Sequence, residues 1–408
     1  MALHQPVEVK LTLWCRGQDH YPQFFSSANI NEEKSYLIED KKKMVNSFGF
    51  KDSHDKRIKN RFEARRFNIS EVCQAGEVYQ VLPKLVSIKD RNFLYDSKHN
   101  FIYCMVEKIG STFWRRVFHL LYHPQYSNLY SIPHHHIHND LLPTLRNFTI
   151  ENSLKIIQTS KKAMFVREPY ARAFSGFVDK LYSLNYYYMH SLGRGIIKAL
   201  RKNATQASLA CGHDMTFVEF IKYLVIMKQR KLQNNVDVHF SQIYTHCLPC
   251  EMKYDFVGTM ENFDEDASYI ISRSQLFQNT SFELSKNASV TLSIYHVLNE
   301  TFSLRNKMAH CMTWEAMYTR AWRTLQIRGL ISPDAPVPTA TNVTMDLLYR
   351  EAVKVSDPSR VSEYKHKSMI DIYRTVSKPL LEKFREYVLP DCKLFGYDDR
   401  PSYLFDRT

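Results

Sequence analysis

The chain has 408 residues, 44% of them hydrophobic, and a formal charge of +13. That is enough apolar material for one large α/β core with a smaller appendage. The positive balance favours anionic partners, whether nucleic acid, acidic glycan or a membrane surface. The sequence contains no apolar run of about 18 residues or more, and its amino terminus lacks the signal-peptide pattern.

Residues 1–85 show little periodicity and read as a basic stem. Ten Lys/Arg stand against three acids between Lys41 and Arg66. A solvated face explains such a run, and so does an electrostatic handle for an acidic polymer. From about Val86 to residue 408 the pattern is globular. Phe101–Val106 is a short apolar run of the kind a parallel sheet buries on both faces. Glu107–Thr112 is a polar turn, and Phe113, Trp114, Val117, Leu120 and Leu121 then recur at helical spacing.

A histidine-rich segment follows, with His134, His135, His136 and His138. Ala163–Val166 predicts a second strand, leading through Arg167-Glu168-Pro169 into a helix from Tyr170 to about Tyr182. Asp214–Met227 predicts a helix with Thr216 and Glu219 at capping-box spacing. Tyr254–Val257 predicts a third strand, and Gln275–Asn306 reads as a polar stretch. Pro333–Pro338 reads as a loop. Ile370, Tyr373, Val376, Leu380, Phe384 and Tyr387 predict one long carboxy-terminal helix with a kink at Pro379.

Two strand ends carry complementary anion chemistry. The first offers Lys108, the backbone amides of Gly110 to Thr112, and the hydroxyls of Ser111 and Thr112. A glycine turn feeding a helix start collects anions through free N–H groups and the helix dipole. The second offers Arg167, with Arg172 and Ser175 on the helix that follows. In open α/β sheets ligands bind at the carboxyl ends of strands. Two separated anion sites there suit a nucleotide phosphorylated at both ends. An ordinary βα turn and a surface ion pair of Arg167 with Glu168 or Asp179 are the plain alternatives. Cys247 and Cys250 form a lone CxxC, short of the four ligands of a structural zinc. A structural disulfide role suits them better. The eight cysteines and seven Asn-x-Ser/Thr sequons, at Asn68, Asn147, Asn203, Asn279, Asn287, Asn299 and Asn342, point to the secretory pathway. The GxxxxGK[ST] motif of a P-loop NTPase is absent.

Tyr103–Phe118 resembles the 5′-phosphosulfate-binding loop of Golgi carbohydrate sulfotransferases, above all the group acting on chondroitin, dermatan and related glucuronic-acid-containing glycans. Phe165–Lys180 is similar to that group's 3′-phosphate motif. His246–Cys250, Tyr254–Asn262 with Asp264–Ala267, and Leu394–Tyr397 are further similar segments, in the family's order. The resemblance implies a central parallel sheet flanked by helices, like nucleotide kinases. It implies 3′-phosphoadenylyl sulfate as donor, no metal, an acidic glycan acceptor and no nucleic acid.

It also implies residue roles. Lys108 would stabilise charge on the transferring group, and the loop Lys108, Ile109, Gly110, Ser111, Thr112, Phe113 and Trp114 would hold the 5′ end. Arg167, Arg172 and Ser175 would hold the 3′-phosphate. His136, His138 and His239 are the candidate bases for the acceptor hydroxyl. Glu107 stands where the family usually has proline, and Ser111 where it often has cysteine. A carboxylate beside an anion site raises the alternative of an impaired, glycan-binding member. The family's Golgi-lumen placement rests on a membrane anchor not seen in this chain.

Overall fold

The structure, a computed structural model, describes residues 52–76, 92–123, 125–126, 128–277, 285–340 and 342–407. Cys15, Lys41 to Lys51, Val86 and the sequon at Asn279 lie outside the described residues. The chain divides into a unit ending at Arg61 and a unit running from Phe62 to Thr408. The second unit holds every element discussed below except residues 52–61 of the first helix.

Its sheet has four strands, β1 (Phe93–Asp96), β2 (Phe101–Cys104), β3 (Lys161–Val166) and β4 (Phe256–Thr259), in that spatial order. β2, β3 and β4 are parallel, and β1 adds antiparallel to the edge. Phe101, Ile102, Tyr103, Ala163, Met164 and Phe165 are all fully buried. This double burial is why β2 and β3 read as continuous apolar runs. β1 was not predicted. Gly258 on β4 faces the Phe165 ring so closely that an added Cβ would lie 2.5 Å from it.

The described helices of the argument are α1 (Asp52–Gln74), α2 (Ser111–Tyr122), α3 (His134–Asn139), α4 (Ile150–Thr159), α5 (Pro169–Phe177) and α6 (Phe217–Gln229). They continue with α7 (Phe263–Arg273), α8 (Lys286–Ser303), α9 (Trp314–Ile327), α10 (Val361–Tyr373) and α11 (Lys378–Phe395). α2, α3 and α4 lie in the crossover between β2 and β3. α5 follows β3 directly and ends in a π-helical turn, Val178–Tyr182. Pro169 occupies its first turn, and Glu168 caps it by accepting from the amides of Tyr170 (3.0 Å) and Ala171 (2.6 Å). The predicted capping box of α6 forms, the Glu219 amide donating to the Thr216 hydroxyl (3.2 Å). α5, α6, α10 and α11 share a second core through Phe174, Phe177, Phe220, Tyr373 and Phe384.

Three expectations change. The carboxy-terminal helix is two helices. The chain breaks over residues 374–377, Pro379 starts α11 in its tolerated first-turn place, and the interior proline is Pro390. The polar stretch 275–306 contains the 18-residue α8, which buries Ile294 and Leu298. The boundary drawn at residue 85 falls late, because Phe62–Gln74 belongs to the globular unit. Arg65 donates to the Val257 carbonyl (2.9 Å) and Asp266 (2.7 Å), and Asn68 donates to the carbonyls of Lys393 and Leu394.

Among the described residues three disulfides form, Cys73–Cys250, Cys104–Cys247 and Cys211–Cys311, and Cys392 is buried and free. The CxxC cysteines therefore face different partners. Cys247 ties to the end of β2, four residues before Lys108, and Cys250 ties to α1. No described helix is long and apolar enough to cross a membrane.

Candidate active site

The loop from β2 to α2 is shaped by two left-handed residues. Lys108 has φ 69° and Gly110 has φ 85°. A non-glycine residue in that region is a strained position, which marks Lys108 as held for a purpose. Gly110 is the N-cap of α2, and a Cβ on it would lie 2.9 Å from the Phe263 ring. Thr149, Thr216, Thr313 and Thr344 cap their helices through side chains; α2 has no side-chain cap. Its first intrahelical bond runs from the Trp114 amide to the Gly110 carbonyl (3.1 Å). The amides of Ser111 and Thr112, in the uncapped first turn, are left for another acceptor. Ile109 and Trp114 are fully buried, Trp114 stacking on Tyr103 with centroids 4.4 Å apart. They shape the loop from beneath. Phe113 packs edge-on against Phe263 at 4.9 Å, and Thr112 is exposed.

Positive charge gathers beside this loop. The Lys108 ammonium lies 3.0 Å from Asp179, whose carboxylate also meets Lys180 (3.5 Å) and Arg328 (3.9 Å). Burial alone would raise the Asp179 pKa, but Lys108, Lys180 and Arg328 hold it well below the usual carboxylate range. The Lys365 ammonium, from α10, is pushed well below its ordinary value by Arg167, by burial, and by Arg328 and Lys108. Mutual repulsion of that kind describes a site built to receive negative charge. Arg167 is buried at the end of β3, its guanidinium donating to the Lys108 carbonyl (3.3 Å). It thereby joins the two strand ends directly, rather than forming the surface ion pair with Glu168 or Asp179.

Arg172 is spent differently. It donates from Nε to the Glu107 carbonyl (3.2 Å), from Nη2 to the Val238 carbonyl (2.9 Å), and from Nη1 to the Ser241 carbonyl. Its guanidinium clamps the β2–α2 loop to the 238–241 segment. Ser175 sits half-buried on α5, beside Gly176. A Cβ on Gly176 would lie 2.8 Å from the His239 carbonyl oxygen.

Glu107 accepts from the Ser111 hydroxyl (2.6 Å). Burial opposes its charge, yet His239, that hydrogen bond, Arg115 and Lys180 together lower its pKa. The carboxylate thus lies beside two permanent cations, Arg115 and Lys180. Among the candidate bases, His136 turns aside to Asp140 (2.9 Å). His138, on α3, lies within electrostatic reach of Glu107 and Lys180, and desolvation, His134 and Arg115 lower its pKa. His239 has its Nδ1 fixed by Asp237 (2.6 Å) and the Tyr188 hydroxyl (2.9 Å), which also donates to Asp237 (3.1 Å). Holding Nδ1 this way orients the ring and presents Nε2.

Two strand ends, open helix amides and a cation cluster make a site for a doubly anionic ligand. Residues 91–304, just over half the chain, match the model of the Sulfotransferase family. The chain belongs to that family. Several carbohydrate sulfotransferases resemble this sulfotransferase-family chain. Carbohydrate sulfotransferase 9 of Homo sapiens is 34% identical over 223 residues, 54% of this chain and 49% of that protein. Carbohydrate sulfotransferase 11 of Rattus norvegicus is 30% identical over 213 residues, 51% of this chain and 60% of the relative. Carbohydrate sulfotransferase 10 of Mus musculus is 32% identical over 196 residues, 46% of this chain and 53% of the relative. The chain thus spans about half the length of the relatives it matches. No solved structure matches it significantly.

Lys180 lay inside the 3′-phosphate motif but was not singled out, and Arg328 and Lys365 carried no sequence signal. They stand at the end of α9 and on α10, far along the chain, and only folding brings them to Lys108. Asp237 preceded His239 in the sequence, and its role as the group fixing Nδ1 needed coordinates.

Proposed function

We propose that the protein is a carbohydrate sulfotransferase that moves the sulfuryl group of 3′-phosphoadenylyl sulfate to a hydroxyl of a chondroitin- or dermatan-like glycan. The observation that carries this is the convergence of Lys108, Lys180, Arg328, Lys365 and Arg167 beside the uncapped start of α2. The donor is a nucleoside with a phosphate at its 3′ position and an activated sulfuryl group on its 5′-phosphate. Lys108 faces the bridging oxygen that gains charge as the S–O bond to the 5′-phosphate breaks. The amides of Ser111 and Thr112 hold the 5′-phosphate, and Arg167 and Ser175 the 3′-phosphate. Arg172 positions the loop and the His239 segment. His239 Nε2 takes the proton from the acceptor hydroxyl as its oxygen bonds to sulfur. Sulfuryl transfer, like phosphoryl transfer, asks mainly for positioning and charge stabilisation.

The likeness to carbohydrate sulfotransferases supports a sugar acceptor, and the charge of +13 supports an acidic one. Three disulfides and exposed sequons at Asn203, Asn287 and Asn342 support an oxidising lumen such as the Golgi. The Glu107 carboxylate favours a second reading, a glycan-binding member that has lost donor use. Its closeness to Arg115 and Lys180 favours the enzyme, because those cations offset its repulsion. Calorimetry with 3′-phosphoadenosine 5′-phosphate separates the two. The enzyme binds at micromolar nucleotide and loses most of that affinity as Arg167→Ala. No binding at millimolar nucleotide refutes the enzyme reading.

A further inference from the structure

At the far end of α2 from the donor loop, two histidines lie one turn apart. His119 is in the last turn and His123 is the C-cap, with rings 5.4 Å apart between centroids. Asp140, the C-cap of α3, completes a set whose ligand atoms all lie within 4.8 Å of one another. His119 is fully buried, and neither ring nitrogen has a hydrogen-bond partner. The Ile137 carbonyl is close enough to favour its charged form but makes no well-formed bond. A buried imidazole without a partner is costly and calls for an explanation.

We propose that His119, His123 and Asp140 bind one divalent transition-metal ion, with zinc the best fit, pinning the end of α2 to α3. Two imidazoles at i, i+4 and one carboxylate are a zinc donor set with one position open. Zinc–ligand bonds of about 2.0–2.1 Å require ligand atoms about 3.3 Å apart, which small side-chain rotations supply. His136 donates from Nδ1 to Asp140 (2.9 Å), the outer-shell bond that orients a metal-bound carboxylate. The other candidate cluster, Cys211, His310 and Cys311, has both sulfurs committed to a disulfide. The ion would act on architecture, since α3 carries His138 towards the donor loop. The expectation that the reaction needs no metal concerns the other end of α2, about 18 Å away at 1.5 Å per residue.

The test uses untagged full-length protein, stripped with chelator, desalted and titrated with zinc chloride near pH 7.5. Wild type retains one zinc per chain and gains thermal stability. His123→Ala and Asp140→Asn sit half-buried and leave the core intact. Each weakens zinc at least ~10-fold without changing the unfolding midpoint of the stripped protein. His136→Ala weakens it by about 10-fold through Asp140, and His134→Gln leaves it unchanged. The proposal is overturned if wild type retains no zinc. It is equally overturned if His123→Ala and Asp140→Asn bind as wild type does, or if His134→Gln alone abolishes binding.

Discussion

Lys108, His239 and Arg172 are three polar residues at one site with three separable kinds of consequence. With Lys108 proposed to face the transferring group, Lys108→Ala is predicted to lower turnover by about 10²–10³-fold or more. The fold persists, because the side chain's partner Asp179 keeps Lys180 and Arg328. A steady-state assay with matched thermal melts checks both halves. His239→Ala removes the proposed base and costs about 10²–10⁴-fold in kcat with nucleotide affinity kept; a loss of affinity with kcat preserved would contradict the assignment. Arg172→Ala leaves three carbonyls short of a donor, at about 1–3 kcal/mol for each one buried. Denaturant unfolding is therefore predicted to show at least about 2 kcal/mol of lost stability, where a pure ligand residue would show none. That Lys108, Gly110 and Arg167 meet at adjacent strand ends was legible because each lies in a short local pattern directly after a strand. The clamp role of Arg172 was not, because its acceptors at Glu107, Val238 and Ser241 lie 65 to 69 residues away.

Elements set where those residues point. α5 runs beneath the His239 segment with only a hydrogen at Gly176 to spare. Gly176→Ala pushes that backbone away, so kcat is predicted to fall while nucleotide binding through Arg167 is kept. Equal binding and equal turnover would show that the contact yields freely. β2, β3, α5 and α6 announced themselves through apolar runs and caps that lie within each segment. β1 escaped notice because four residues, Phe93–Asp96, carry no periodicity beyond chance and take their identity from pairing with β2. The carboxy-terminal reading failed for a related reason. α10 and α11 bury Tyr373, Leu381, Phe384 and Tyr387 in one core, so an apolar pattern continues across a break that only the backbone reveals.

For the molecule as a whole, crosslinks and buried charge govern stability. The three disulfides close loops of 100 to 177 residues, and such bridges contribute about 2–4 kcal/mol each. Reduction is therefore predicted to lower the unfolding midpoint markedly. Burial and neighbouring positive groups press the half-buried His296 to about 3, from an ordinary 6.5, and push the more exposed His134 and His138 in the same direction. The unfolded chain takes up these protons first, so their contribution is lost as pH falls from about 6.5 towards 4. Glu168, raised by burial to about 7, acts in the opposite sense over much of that window. The comparison of wild type with His296→Gln isolates the histidine share. The variant is predicted to lose less in midpoint between pH 7 and pH 5, and an identical loss would refute the burial argument. The most direct test of the central claim is transfer itself, with sulfur-labelled donor, a panel of desulfated glycans and wild type beside Lys108→Ala. The site as described predicts label in an acidic glycan with wild type and none above background with the variant. Label transferred equally by both proteins, or by neither while nucleotide still binds, would contradict it.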